Sequence, residues 1–71
     1  MASATASRAN ANARSRALQA LRRAHPIEHM VLVVGHKQAG AKLPRNQADA
    51  AMVAAHPDEY ATLYAAEKAA A

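Results

Sequence analysis

The sequence contains no cysteine, no tryptophan and no phenylalanine, and it has only two glycines and three prolines. Without cysteine, no disulfide can stabilise so short a chain, and no cysteine-based zinc finger can form. The longest apolar run is MVLVV at 30–34, which is far too short to cross a membrane. We therefore expect a cytoplasmic protein that does not enter the membrane.

Large apolar side chains are also scarce. Leu, Ile, Val and Phe together supply 10 of the 71 residues, and below roughly 20% a chain begins to resemble disordered proteins in composition. Alanine makes up about a third of the sequence and adds little burial per residue. A chain of this length is at most one small domain. We therefore expect a partner, or a second copy in a homodimer, to complete the core.

Charge is distributed unevenly along the chain. Residues 1–25 hold five arginines and no acid, residues 26–48 carry a net charge of +2, and residues 49–71 carry −3. Arginines without nearby acids can follow nucleic-acid phosphates or enter a minor groove. The alternatives are a solubilising tail or an organellar targeting segment. We favour a basic arm, because cleavage of such a segment would leave fewer than 50 residues.

The sequence predicts an all-α fold. Residues 1–14 are small, polar and low in complexity, which predicts a disordered basic arm, and residues 15–71 predict a small helical domain. Apolar spacing and the positions of proline and glycine predict four helices, near 15–25, 26–34, 46–55 and 57–69. The β-branched run at 30–34 leaves a short intermolecular strand as an alternative within a dimer.

Individual residues are expected to mark the helix ends. Ser15 is a candidate N-cap for the first helix, and Pro26 separates the first two. Gly35 is placed to end the second helix. Asn46 is placed to cap the third, with Asp49 as the acid of a capping box.

Two apolar stripes follow helical spacing. The first runs along the second helix at i, i+3, i+4 and i+7, and its members are Ile27, Met30, Val31 and Val34. The second contains both aromatic residues of the chain. It is the predicted core or partner-binding surface, and its members are Tyr60, Leu63 and Tyr64.

One short pattern occurs twice. AHPIEH at 24–29 returns as AHPDEY at 55–60, 31 residues later. Both copies supply a residue that leaves one helix, a proline that starts the next, and an acid in the new first turn, which predicts a helix-to-helix joint.

The first copy also matches His-x-x-Glu-His, the pattern of one class of zinc metallopeptidase. Pro26 places His25 outside the helix, so the imidazoles of His25 and His29 should diverge. Few residues follow to build a substrate cleft. We expect no catalytic residue, no metal ligand and no cofactor here, and a thermal stability that does not depend on zinc.

Together these features predict a non-enzymatic accessory protein that binds DNA or RNA phosphates. No glycine-rich phosphate loop is present. The start of the third helix adds Arg, Asn and Gln side chains, which suit phosphates or base edges, although a capped helix start with a polar first turn is the better explanation of these residues. The candidate binding residues are Arg8, Arg14, Arg16, Arg22, Arg23, Lys42, Arg45, Asn46 and Gln47. The alternative is a bacterial or viral protein-interaction module that folds on a partner or dimerises through its C-terminal helices.

Overall fold

The chain folds into four α-helices joined by short connections. The structure is a computed structural model that describes the backbone of residues 2–70 and the side chains of residues 10–70. The helices are α1 (Ala2–Ala24), α2 (Pro26–Gln38), α3 (Pro44–Ala55) and α4 (Pro57–Ala70). Residues 30–34 are helical and no strand occurs within residues 2–70, so the all-α prediction is confirmed.

Proline starts each of the last three helices. A proline loses nothing at the first helical position, because the N–H there has no partner within the helix. The residue before it is held out of the helical region, with φ of −132° at His25, −127° at Leu43 and −129° at His56. Each histidine is thus a one-residue joint between two helices, as the repeat predicted.

α2 continues past Gly35, where we expected it to end. The left-handed residue is Gly40, with φ of +86°. The N–H of Gly40 donates to the carbonyl of Lys37, and the N–H of Ala41 donates to the carbonyl of His36, both at 3.0 Å. This pair of bonds is the Schellman arrangement, which needs the positive φ that glycine adopts without strain.

α1 extends upstream of Ser15, which is exposed inside the helix and is not its cap. Ala13 is fully buried, so residues 10–14 belong to the helical domain and not to a disordered arm. Alanine has the highest helix propensity, and α1 packs mainly against α4. The predicted disordered arm also includes residues 1–9, whose side chains lie outside the described residues.

α3 likewise begins earlier than predicted. Leu43 occupies the N-cap position and makes no side-chain cap hydrogen bond. Asn46 therefore lies inside the first turn. The proline at the first position lacks one of the N–H groups that have no partner at the start of a helix.

The helices pack in two pairs, α1 against α4 and α2 against α3. The fully buried side chains lie on α1 and α3, and they are Ala13, Ala17, Leu21, Ala48 and Met52. Ala17 and Ala48 are 31 residues apart, and so are Leu21 and Met52. The repeat therefore matches α1 with α3 and α2 with α4, and it matches the core residues of α1 with those of α3. An approximate two-fold axis produces this arrangement.

The predicted C-terminal stripe is not the packed centre. Tyr60, Leu63 and Tyr64 are half-buried, and α4 contains no fully buried side chain. Leu21 and Met52 are instead the largest side chains that are fully enclosed. Burial of one such side chain contributes about 1.5–3 kcal/mol, so these two residues dominate a core that is otherwise alanine.

We expect Leu21→Ala to destabilise the protein severely. Loss of a fully buried leucine side chain costs about 2–5 kcal/mol. This is a large part of the free energy of unfolding of a typical domain, about 5–15 kcal/mol. Substitutions at the surface usually change that free energy by less than about 0.5 kcal/mol. Leu43→Ala is the matched control, because Leu43 is 61% exposed. Urea unfolding followed by circular dichroism measures both variants, and equal losses would contradict this assignment of the core.

Candidate functional site

The two helix joints meet at the approximate two-fold axis. Each histidine ends one helix and precedes the next: His25 donates its N–H to the carbonyl of Leu21, and His56 donates to that of Met52. The imidazole rings of His25 and His56 stack with centroids 4.1 Å apart and planes inclined by 13°. The joints therefore place two imidazoles face to face at the centre of the molecule.

Each histidine bonds the glutamate of the other joint. Nε2 of His25 donates to Oε2 of Glu59 at 2.6 Å, and Nε2 of His56 donates to Oε2 of Glu28 at 2.7 Å. The glutamates stand in the first turns of α4 and α2, where the helix dipole favours an acid. We call these four side chains the joint cluster.

The metallopeptidase arrangement does not form. Nε2 of His29 donates to Oδ1 of Asp49 at 3.0 Å, whereas His25 turns to a carboxylate on α4. Glu28 faces the other joint as well. The three residues of the His-x-x-Glu-His pattern are therefore directed at three different partners, as the proline in the pattern predicted for the two histidines.

The structure brings together a different set of ligand-type atoms. One nitrogen each of His25 and His56 and a carboxylate oxygen of Glu59 all lie within 4.8 Å of one another. Sequence reasoning found both histidines and aligned them through the repeat. It did not predict that the two histidines are in contact, because a sequence repeat does not reveal that its two copies face each other across an axis.

Asp49 is the most enclosed charged side chain among the described residues, at 8% exposure. Both its oxygens accept hydrogen bonds from Arg22, and Oδ1 also accepts one from His29. Burial acts to raise the pKa of Asp49, but the hydrogen bonds and charges of Arg22 and His29 outweigh it and lower that pKa. The hydrogen bond to Asp49 raises the pKa of Arg22 in turn. Asp49 was predicted to cap α3 and instead ties that helix to α1 and α2.

The basic residues proposed for nucleic acid divide into two groups. Arg16 pairs with Glu67 at 2.8 Å, and Arg22 pairs with Asp49, so these two cations are occupied within the chain. The remaining described candidates are exposed and make no ion pair within residues 10–70: Arg14, Arg23, Lys42 and Arg45. Asn46 and Gln47 are exposed at the start of α3, and the Arg8 side chain lies outside the described residues.

Part of the basic half of the chain therefore serves to bind the acidic half. The Arg16–Glu67 pair joins α1 to α4, and Arg22–Asp49 joins α1 to α3. We interpreted the charge polarity as a sign of function beyond structure. These pairs show that packing of the chain on itself uses some of it.

The aromatic stripe of Tyr60, Leu63 and Tyr64 lies on α4 and is partly exposed to solvent. The rings of Tyr60 and Tyr64 are stacked with centroids 6.0 Å apart, and Nζ of Lys68 lies 5.3 Å from the centre of the Tyr64 ring. Tyr60 also borders an open cavity of about 680 Å³ together with Arg14 and Asn46. The stripe thus contributes to the fold and to this groove.

Most of the large exposed apolar side chains among the described residues lie elsewhere, on α2. The four residues of the first predicted stripe point outward, with exposures of 72% for Ile27, 59% for Met30, 64% for Val31 and 46% for Val34. α2 packs through its opposite side, where Leu32 and Val33 are half-buried, and the outward face remains uncovered in the single chain.

Within residues 2–70, no helix combines the length and the apolar character that a membrane-spanning helix requires. Comparisons of the chain with protein-family models, with curated proteins and with solved structures found no match. The proposals below therefore rest on the geometry of the chain itself.

We expect the buried ion pair at Asp49 to make stability depend on pH. Because folding lowers the pKa of Asp49, its contribution is present above the unfolded value of about 3.9 and is lost as pH falls through the lower folded value. At neutral pH, Asp49→Asn should cost about 1.5–3 kcal/mol, the range for a hydrogen bond to a charged group.

Asp58→Asn is the matched control, because Asp58 is exposed and makes no ion pair among residues 10–70. Thermal unfolding between about pH 7 and pH 2 should show a steeper loss of stability in Asp58→Asn and in the wild type than in Asp49→Asn. The same pH dependence in all three proteins would contradict the role of Asp49.

Proposed function

We propose that the protein is a non-enzymatic interaction module that associates through the outward face of α2. The observation that carries this proposal is the exposure of Ile27, Met30, Val31 and Val34 in one continuous stripe. Contiguous apolar patches of roughly a few hundred Å² on small proteins commonly mark interaction sites. In a chain with so few large apolar side chains, leaving four of them exposed requires a compensating role.

A second copy of the chain is the partner that this face fits. The stripe is symmetric about its midpoint between Met30 and Val31. An antiparallel α2 pair would set Ile27 of one copy against Val34 of the other, and Met30 against Val31. Such a self-complementary contact is what a two-fold dimer uses.

The charges on α2 favour the same antiparallel arrangement. α2 carries Glu28 in its first turn and His36 and Lys37 in its last turn. Antiparallel pairing brings the acidic end of one helix beside the basic end of the other, and it opposes the two helix dipoles. The association surface therefore differs from the C-terminal helices that the sequence suggested.

The experiment is sedimentation equilibrium of the full chain over a wide concentration range. We expect the wild type to shift from monomer to dimer as its concentration rises, and Val31→Glu to remain monomeric, because pairing would bury a charge without a partner. Ala61→Glu on the exposed side of α4 is the matched control and should behave as the wild type. A wild type that remains monomeric throughout would overturn self-association.

Nucleic-acid binding is a second candidate function, supported by the net charge of +4 and by the location of the exposed cations. Lys37, Lys42 and Arg45 surround the connection into α3 and its first turn. The free backbone N–H groups and the dipole at a helix N-terminus add to their attraction for phosphate. The occupied pairs of Arg16 and Arg22 reduce the number of arginines available for this role.

A pair of arginine variants tests the second candidate. Each phosphate contact on duplex DNA contributes about −0.9 to the slope of log K against log salt. Arg45→Ala should therefore make the slope shallower by about one unit, whereas Arg16→Ala, whose side chain already pairs with Glu67, should leave it unchanged.

The measurement is a duplex titration between about 50 and 200 mM salt. An unchanged slope in Arg45→Ala would remove the α3 N-terminus from the interface. Absence of binding by the wild type even at the lower salt concentration would overturn nucleic-acid binding by this chain.

A further inference from the structure

We propose that the joint cluster is a binding site for a divalent transition-metal ion, with Zn²⁺ as the expected ion. His25, His56 and Glu59 already place one ligand atom each within 4.8 Å of the others. Glu28 lies outside that group, but its Oε2 is 2.7 Å from Nε2 of His56, so rotation of its side chain would bring it in as the fourth ligand. The two copies of the repeat thus contribute one histidine and one glutamate each.

The donor set matches the chemistry of zinc. Zn²⁺ takes imidazole nitrogen and carboxylate oxygen in tetrahedral sites, with bonds of about 2.0–2.2 Å. Two glutamates and two neutral imidazoles balance the charge of the ion. Metals that prefer an all-oxygen shell, such as Mg²⁺ and Ca²⁺, fit the two nitrogens poorly.

Binding requires side-chain rotation at the joint cluster. Tetrahedral bonds of this length place neighbouring ligand atoms about 3.3–3.5 Å apart. The hydrogen-bonded contacts of 2.6 and 2.7 Å must open by less than about 1 Å, and separations of up to 4.8 Å must close by up to about 1.5 Å. The two imidazoles must also turn out of their stack, because each nitrogen lone pair lies in the plane of its ring. The four side chains are between 25% and 41% exposed, so they can rotate and an ion can reach them, while the two joints keep their backbone fixed.

Metal binding replaces the hydrogen bonds within the joint cluster by metal–ligand bonds. Each imidazole presents the Nε2 lone pair to the metal, so the proton now on Nε2 must move to Nδ1 or leave to solvent. The two N–H···O hydrogen bonds break, and two Zn–N and two Zn–O bonds replace them. Without metal, the reciprocal hydrogen bonds satisfy the same side chains, so the site is compatible with a stable metal-free protein.

An ion at this position would cross-link the two halves of the fold. Its ligands come from the joint between α1 and α2 and from the joint between α3 and α4. Because an unfolded chain does not preform such a site, the binding free energy adds to folding stability. The effect should be large here, since two large side chains, Leu21 and Met52, are fully buried among residues 10–70.

The proposed site is not the His-x-x-Glu-His motif that the sequence brings to attention. Only His25 and Glu28 of that motif take part, and His29 is held by Asp49. The prediction that zinc leaves stability unchanged considered ligands within one copy of the repeat. The structure places the second copy opposite the first and so completes a ligand set that neither copy contains.

The experiment measures the melting temperature of the full chain with Zn²⁺ and with a chelator, and the visible absorption of the Co²⁺-loaded protein. At a free zinc concentration about 100-fold above Kd, stabilisation of a domain this size should raise the melting temperature by about 10–20 °C. Co²⁺ should give the intense absorption bands of a tetrahedral site at one equivalent per chain. His56→Ala should abolish both responses.

The matched controls are His29→Ala and His36→Ala, which remove imidazoles outside the cluster and should retain both responses. Glu59→Gln keeps the side-chain shape and provides a test if His56→Ala fails to fold: its affinity should fall by about tenfold or more. Retention of the zinc response in Glu59→Gln and His56→Ala, or its loss in His29→Ala alone, would overturn the site. The absence of any stoichiometric zinc response in the wild type would overturn it as well.

Discussion

A histidine held out of the helix by the proline that follows it sets the angle at each joint, and the arrangement of the four helices depends on these two positions. Each histidine then reaches the glutamate that begins the other pair of helices. These partly exposed pairs contribute about 1 kcal/mol each at most. Their effect is mainly on orientation, because a shift of either joint would break both bonds and the ring stack. The larger stabilisation comes from Leu21 and Met52, which the joints position one turn upstream.

The sequence predicted those parts of the fold that depend on local stereochemistry. Proline at the start of a helix and the displaced residue before it are determined within a few bonds, so both joints were predicted correctly. The predicted end of α2 at Gly35 was wrong, because two glycines were available and the left-handed residue that ends the helix is Gly40. Local pattern does not contain that information.

The inward face of each helix was harder to predict. α2 carries apolar residues on every side, so helical periodicity does not decide between Val31 and Leu32 as the buried position. Alanine gives no signal of burial, yet Ala17 and Ala48 lie in the core because small side chains let helices approach closely. The joint cluster was missed for a related reason: its members are 31 residues apart, and only the packing of one repeat on the other brings them together.

Charge placement has two consequences in the folded chain. Arg22 and Asp49 form a part-buried ion pair in which Asp49 is the enclosed partner, and loss of Arg22 would leave the carboxylate of Asp49 poorly solvated. Arg16 and Glu67 form a more exposed pair, whose effect on stability is smaller. The cations around the connection between α2 and α3 are exposed and make no such pairs within residues 10–70. The net charge of the whole chain therefore overstates what is available for phosphate and understates the contribution of arginine to folding.

The approximate two-fold axis also affects chain connectivity. The loop after Gly40 joins α2 to α3, and the axis places the end of α4 against α1 in the equivalent position, as the contact between Glu67 and Arg16 shows. The order in which the two helix pairs occur along the chain is therefore not required by their packing. A circular permutant could open the loop after Gly40 and link the end of α4 to the early part of α1. It would preserve both helix joints, the core positions of Leu21 and Met52, and the facing histidines.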